Sequence, residues 1–287
     1  MKEVESADPK LPLDPRLPLW PTIRLSYTSY LRNFRDVLRI SALWLALMAV
    51  LNAGTGWMQA TWMTRVMADP SPQPNLSEPL EMTLLGNISS VVIAFAAVSI
   101  AVAWHRRLLL DEPPGRSGGN IGTLGLWRYI AVTIVICVMA AAPTLAILLA
   151  IWAFGWMPAA DDVIAPQTPA LIAAFVLADV AGIIILLRLC ALLPANAAGN
   201  FTLTVKGAWR LSRGNAGRLW WGIVACAWPP FLLVGLVFVG VILLPVADGL
   251  YRVQWAVASA IATCCWLPAW PIWIGFLSYA YQHLNRA

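Results

Sequence analysis

Hydrophobic residues lie along this chain in long runs that polar residues rarely interrupt. A helix needs about 20 apolar residues to cross the hydrocarbon core of a bilayer. Six runs reach that length, and they predict membrane-spanning helices at residues 38–60, 84–105, 126–152, 169–193, 218–246 and 253–281. We therefore predict an all-α, polytopic integral membrane helix bundle, with short connections between the spans.

Composition agrees with this pattern. The chain has 287 residues, of which 60% are hydrophobic and only 11% are charged, whereas soluble domains carry about 25% charged residues. The first ten residues, MKEVESADPK, are polar and acidic, so no cleavable signal peptide is expected. Several prolines lie within the runs and should tilt, kink or end helices there: Pro143, Pro229, Pro230, Pro245, Pro268 and Pro271.

The positions of Lys and Arg predict the orientation of the spans. With six spans, seventeen of the nineteen basic residues fall on one side of the membrane, and only Arg65 and Arg252 remain for the other. Basic residues accumulate on the cytoplasmic side of membrane proteins. The N-terminus and the C-terminus should both be cytoplasmic, in a bacterial inner membrane.

Three arginines are regularly spaced at the start of alternate spans. Arg39, Arg128 and Arg218 lie 89 and 90 residues apart, which favours three helical hairpins of similar length. A chance match in a chain rich in Leu and Trp explains the local similarities equally well. The hairpin arrangement is the prediction, and a duplication is one of two explanations for it.

Two segments that precede spans have the pattern of basic amphipathic helices at the membrane surface. In the first, residues 22–38, the apolar positions are Ile23, Tyr27, Tyr30, Leu31, Phe34, Val37 and Leu38. The second lies near residues 201–213, with apolar positions at Phe201, Val205, Ala208 and Trp209. The six-helix transmembrane domain, residues 39–287, contains this second helix.

Basic side chains near these segments are candidates for binding anionic lipid headgroups, at roughly 1 kcal/mol for each residue near the surface. The candidates are Arg24, Arg32, Arg35, Arg106, Arg107, Lys206, Arg210 and Arg213. Arg106 and Arg107 follow His105 at the end of the second span, where two arginines could clamp a phosphate. The alternative for the whole set is that these residues determine topology and anchoring only.

The first 21 residues contain a proline at every third position from Pro9 to Pro21. A polyproline II helix has three residues per turn, so these prolines would share one edge of an extended cytoplasmic arm. Leu11, Leu17 and Trp20 lie on another edge and could dock on the bundle, the bilayer or a neighbouring protein. A solvated tether is an equal alternative.

Asp179 is the one carboxylate near the middle of a span. Its charge would cost at least a few kcal/mol in hydrocarbon, so we expect it to face the bundle interior. It is either a proton or cation site of a transporter or a hydrogen-bonded anchor between helices. Arg188 lies half a turn away around the same helix and cannot pair with it alone, whereas Asn52 and Thr144 could bond to it.

No motif for catalysis or metal binding is present, so we predict a protein that is not an enzyme and has no metal or cofactor. Both histidines, His105 and His283, fall on the predicted cytoplasmic side without a cluster of acidic or thiol groups. The five cysteines all fall within spans and are typical of small buried apolar residues: Cys137, Cys190, Cys226, Cys264 and Cys265.

Two segments resemble a known family. They are AVAWHRRLLLDE, residues 101–112, and LRLCALLPANAAGNFTLTVKGAWRLSRGN, residues 187–215, in which Leu-Pro precedes an amphipathic helix that closes on Arg-Gly-Asn. This pattern is similar to the YciC-like group of bacterial six-span proteins and to the membrane domain of some glycerophosphoryl diester phosphodiesterases. The resemblance implies an all-helical inner-membrane protein, without the catalytic domain of the phosphodiesterases.

These observations favour a non-catalytic inner-membrane protein that binds anionic lipids, a membrane-protein partner or both. Such a protein would act as an accessory or assembly subunit of a larger complex, and no nucleic-acid partner is expected. The alternative is a small-molecule or ion transporter or channel with Asp179 in the bundle interior.

Overall fold

The computed structural model describes residues 16–68, 78–113, 124–153, 168–245 and 250–286. Within these residues the protein is all-α, as predicted, with ten α-helices, one short 3-10 helix at Leu267–Ala269 and no strand. The α-helices are α1 Leu19–Arg32, α2 Phe34–Ala68, α3 Leu80–Leu109, α4 Leu124–Ala153, α5 Thr168–Leu189, α6 Leu192–Ala197, α7 Val205–Leu211, α8 Ala216–Ile242, α9 Tyr251–Trp266 and α10 Trp270–Arg286.

Six helical segments of the described chain are long and apolar enough to cross a membrane, which confirms the predicted number of spans. They are α2, α3, α4, α5 with α6, α8, and α9 with α10. The sixth span changes from α-helix to 3-10 helix around Pro268, because a proline lacks the N–H that would continue the α-helical ladder. The protein is therefore a multi-pass membrane protein.

Consecutive spans pair as three hairpins, formed by α2 with α3, α4 with α5, and α8 with α9. The first and third hairpins meet along α2 and α9, the most extensive helix contact of the described chain. Helix α10 then packs against α1, α3 and α8. The α4–α5 hairpin lies at the periphery and contacts the other helices much less.

The core is concentrated around α10, at the end of the bundle where α1 and α7 lie. We call this end, which includes the α1–α2 turn, α6, α7 and the last turn of α3, the basic end. Trp104 of α3 and Phe276 of α10 are completely buried. Gly222 of α8 faces the ring of Phe276, and a Cβ atom on this glycine would overlap that ring. The absence of a side chain at Gly222 is what lets α8 approach α10.

The first amphipathic segment differs from the predicted 22–38. Helix α1 ends at Arg32 because Asn33, with φ −109° and ψ 28°, leaves the helical conformation. Helix α2 begins at Phe34, so residues 34–38 belong to the first span. The second segment is also shorter than predicted: Thr204 caps α7 by accepting a hydrogen bond from the N–H of Gly207 at 3.1 Å.

Much of the face of α1 that was expected to enter the lipid packs on protein instead. Ile23 is buried, and the Ser26 hydroxyl donates a hydrogen bond to the carbonyl of Ile272 in α10. The Tyr27 hydroxyl donates to the carbonyl of Ala225 in α8 at 2.9 Å. Small polar residues therefore hold α1 against the bundle, which amphipathic periodicity alone does not reveal.

Candidate headgroup-binding face

The chain enters the basic end at Leu17, which is completely buried. Its N–H donates to Asn215 Oδ1 at 2.8 Å, and its carbonyl accepts from Arg218 Nη1 at 2.7 Å. The predicted arm of residues 1–21 is shorter, because α1 already begins at Leu19. Trp20, predicted on the same edge of the arm as Leu17, therefore lies in α1 and is 73% exposed. Leu11 lies outside the described residues. The end of the arm is therefore attached to α8 through Leu17, while Trp20 remains on the surface.

Arg106 forms an ion pair within the protein. Its guanidinium donates to both carboxylate oxygens of Glu112, at 2.8 and 2.5 Å, and to the carbonyl of Ala197 at 3.2 Å. These bonds join the end of α3 to α6. The predicted headgroup role of Arg106 is weakened, because Glu112 already accepts from Nε and Nη2, the two guanidinium nitrogens that would bind a phosphate together.

Arg107 is engaged in the same way. Its Nε lies 3.0 Å from Asp36 Oδ2, and its Nη1 lies 2.5 Å from Asp111 Oδ1. The side chains of Arg107 and Asp36 are 22% and 24% exposed, so this pair is shielded from water more than a surface ion pair. It joins the end of α3 to the start of α2, and Arg107 is also not free to bind a headgroup.

Helix α7 is held against the ends of α4 and α5. The Arg188 guanidinium lies over the ring of Trp209 at 5.4 Å, and that of Arg128 lies over the ring of Phe201 at 4.3 Å. Such cation–π contacts contribute roughly 0.5–1 kcal/mol at exposed sites. They hold this segment on the bundle with Ala208 buried, whereas Phe201, Val205 and Trp209 stay 40–50% exposed. The basic side chains of Lys206 and Arg210 are exposed as well.

The other predicted cations remain available. Within the described part of the chain, no hydrogen-bond or ion-pair partner contacts the side chains of Arg24, Arg32, Arg35, Lys206, Arg210 and Arg213, and all six residues are exposed. Because Leu17 links α1 to the connection that follows α7, the two groups of cations share the basic end. We call these six residues the basic face.

Apolar side chains accompany the arginines on α1. Trp20, Pro21, Arg24, Leu25 and Thr28 line an open groove of about 440 Å³. Guanidinium groups bind phosphate oxygens through two parallel hydrogen bonds, and exposed Trp and Leu side chains enter the boundary between headgroups and acyl chains. The arrangement suits an anionic lipid, with its phosphate at Arg24 and its chains beside Trp20 and Leu25.

Asp179 does not lie in the bundle interior, and that expectation was wrong. It is exposed on the surface of the α4–α5 hairpin, where Thr144 Oγ1 donates to its Oδ1 at 3.1 Å. Thr144 was one of the predicted partners, together with Asn52 and indole N–H groups. Asn52 lies in a different part of the bundle. The position of Asp179 follows from the peripheral place of its hairpin, which the sequence of one helix does not specify.

Sequence reasoning missed a polar network inside the spans. Asn52 of α2 donates to Thr263 Oγ1 of α9 at 2.7 Å and accepts from Ser89 Oγ of α3 at 3.1 Å. Asn52 and Thr263 border a groove of about 260 Å³ between α2, α8 and α9. The available signal was that each of the three apolar runs contains a polar side chain, Asn52, Ser89 and Thr263. Because the amide binds both hydroxyls, the network ties the first and third hairpins together.

A second buried cluster surrounds His105, which has no accessible surface. Its Nδ1 lies 2.7 Å from Ser278 Oγ, and its Nε2 lies 3.5 Å from the hydroxyl of Tyr129. A Ser–His pair can activate a nucleophile, but His105 and Ser278 both have no accessible surface. The cluster links α3, α4 and α10.

Two other predicted features can be located. Cys190 and Cys226 are buried as expected, whereas Cys137 and Cys264 are exposed, contrary to that expectation. Among the described residues, no group of three His, Cys, Asp or Glu side chains is placed to hold a metal ion.

Comparison with protein-family models, curated proteins and solved structures finds no match to this chain.

Proposed function

We propose that this chain is a non-catalytic integral membrane protein that binds anionic lipid headgroups on its cytoplasmic basic face. We also propose that it serves as an accessory or assembly subunit of a membrane complex. The observation that carries the lipid proposal is the difference between two sets of arginines. Arg106 and Arg107 are paired with carboxylates, whereas Arg24, Arg32 and Arg35 are exposed without a protein partner in the described chain.

The rigidity of α1 supports this proposal. The bonds from Ser26 to α10 and from Tyr27 to α8 hold the helix on the bundle, so its arginines are positioned before a lipid arrives. Preorganisation of this kind lowers the entropic cost of binding. Arg24 and Arg32 are eight residues apart, about 12 Å along α1, so a headgroup bound between them would lie over the intervening turn.

The lipid proposal is tested with the detergent-solubilised full chain and short-chain phosphatidylglycerol, with phosphatidylcholine as the uncharged probe. Two arginines contribute roughly 2 kcal/mol at low salt, so the double variant Arg24→Gln/Arg32→Gln should weaken phosphatidylglycerol binding by about tenfold or more. The readout is the dissociation constant from thermophoresis, measured at two salt concentrations.

The matched control removes the same charge from the opposite end of the bundle, in the double variant Arg65→Gln/Arg252→Gln. This control should bind phosphatidylglycerol like the unmodified chain. Equal losses in both double variants would mean that only net charge matters. An unchanged affinity in Arg24→Gln/Arg32→Gln would reject the proposed face.

The transporter alternative finds less support. It relied on Asp179 in the bundle interior, and that carboxylate lies on the surface of the α4–α5 hairpin. Inside the spans, the Asn52 network is the polar group that could replace Asp179 in a transport role. The amide of Asn52 is, however, already bound to Ser89 and Thr263.

A further inference from the structure

The α4–α5 hairpin presents one acidic group on an otherwise apolar surface. Asp179 is exposed, and Thr144 donates a hydrogen bond to only one of its carboxylate oxygens. Among the described residues, no donor contacts the second oxygen, Oδ2. The residues next to Asp179 along the exposed side of α5 are Val176, Leu177, Val180 and Ile183.

Asp179 lies at the middle of its span. Helix α5 runs from Thr168 to Leu189, so at 1.5 Å per residue the aspartate is about 15 Å from either end. The hydrocarbon core of a bilayer is about 30 Å thick, and this places the carboxylate near the midplane. An ionisable group at this depth normally faces other protein groups, because contact with lipid is costly.

No described residue outside the α4–α5 hairpin is shown to cover the surface around Asp179. Residues 137–153 of α4 and 169–177 of α5 include no buried residue. The two helices nevertheless pack closely on each other, because a Cβ atom at Gly182 would overlap the carbonyl oxygen of Ala140. The outer half of the hairpin is thus a formed two-helix surface on which no other described helix packs.

We propose that this surface docks a transmembrane helix of a different protein, with a Lys or Arg near the middle of that helix. A basic group there would reach Oδ2 and pair with the carboxylate, which is how charged groups within membranes are usually accommodated. A second copy of this chain suits the surface less well. None of the described Lys and Arg residues lies in the middle of a span, so the second copy would bring another aspartate.

The inference names the partner chemistry for the proposed accessory role and rests on that role, but not on lipid binding. It is tested in phosphatidylcholine liposomes, which lack the anionic headgroups that the basic face would bind. Failure of the headgroup proposal therefore cannot change the result. The full-length chain is reconstituted with a dye-labelled, leucine-rich transmembrane peptide that carries one central Lys, and association is measured by energy transfer.

Matched peptides carry Leu at the centre or place the Lys near one end. Because polar contacts between membrane helices contribute roughly 1–2 kcal/mol, the central-Lys peptide should bind about tenfold more tightly than either. Asp179→Asn should abolish most of this preference. Glu81→Gln, which removes an acidic group at the start of α3, should leave it unchanged.

A charge-swap variant distinguishes loss of the proposed contact from misfolding of the Asp179 variants. Asp179→Lys should bind a central-Glu peptide in preference to the central-Lys peptide, a gain that an unfolded chain would not show. Equal binding of the central-Lys and central-Leu peptides would overturn the proposal. Energy transfer between two labelled copies of the chain that is lost in Asp179→Asn would overturn it in favour of a homodimer.

Discussion

At the scale of single residues, small polar side chains decide how the N-terminal segment is attached. Leu17 is held at both its backbone N–H and its carbonyl by side chains about two hundred positions away, Asn215 and Arg218. Tyr27 and Ser26 then bond to backbone carbonyls of α8 and α10. Their hydrogen bonds also satisfy polar groups that would otherwise be buried unpaired, which would cost about 1–3 kcal/mol for each group.

Tyr27 makes this attachment sensitive to high pH. Burial raises the pKa of Tyr27 to about 12, with a smaller contribution from nearby Cys226. The ordinary pKa of a tyrosine is about 10, so an unfolded chain loses the proton first as the pH rises. The stability that Tyr27 contributes is therefore complete below pH 10 and should be lost as the pH rises through 12.

The measurement is the thermal midpoint of the detergent-solubilised chain between pH 8 and 12, compared with that of Tyr27→Phe. The midpoint of the unmodified chain should fall more steeply above pH 10 than that of the variant, which has no proton to lose at this position. Parallel curves would contradict the assignment.

At the scale of elements, the contact of α8 with α10 depends on a glycine. Phe276 is completely buried and faces Gly222, and a Cβ atom there would overlap the phenyl ring. Gly217 lies in the same helix and faces open space. Substitutions at these two positions therefore distinguish the effect of close packing on stability from the effect of the helix preference of the backbone.

Gly222→Ala should destabilise the protein by about 2 kcal/mol, because the buried ring must move to make room. Gly217→Ala should be neutral or stabilising by up to about 1 kcal/mol, because alanine favours a helix more than glycine does. Thermal unfolding of both variants in the same detergent checks this prediction. Similar midpoints for the two would show that Phe276 adjusts without cost.

At the scale of the whole molecule, the two ends of the bundle are built differently. At the basic end, Arg106 joins α3 to α6, Arg107 joins α3 to α2, and Leu17 joins the arm to α8. Towards the opposite end, residues 137–153 of α4 and 169–177 of α5 include no buried residue. The basic end is therefore held together by several contacts and carries the basic face. The outer half of the α4–α5 hairpin, in contrast, is not covered by another described helix.

The predicted topology of the whole chain is tested by fusions in a bacterial host. A green fluorescent protein attached after the C-terminus should fluoresce, and alkaline phosphatase at the same site should be inactive, because the basic end should remain in the cytoplasm. Alkaline phosphatase inserted between Ala68 and Glu78 should be active. The reverse pattern of activities would invert the proposed orientation and remove the basic face from the cytoplasm.

Several residues show why the candidate site was only partly predictable. The exposure of Arg24 and Arg32 follows from their place on one face of α1, and the structure agrees. Arg35 is also exposed, but it belongs to α2 and does not share that face. The pairing of Arg107 with Asp36 could not be read in advance, because the two residues are 71 positions apart. The prediction that Asp179 faces the bundle interior was wrong for a related reason, because its surroundings depend on where the whole α4–α5 hairpin packs.

The helical class, the number of spans and the hairpin pairing of neighbours could be predicted from the amino-acid sequence alone. These properties depend on the length of apolar runs and on short connections, which are local to the chain. Three other features became visible only in the folded chain: which cations lack a partner among the described residues, which residue anchors the arm, and which side of α5 faces outward. Each of these depends on contacts between residues far apart in sequence, such as Leu17 with Asn215, and local patterns do not encode those distances.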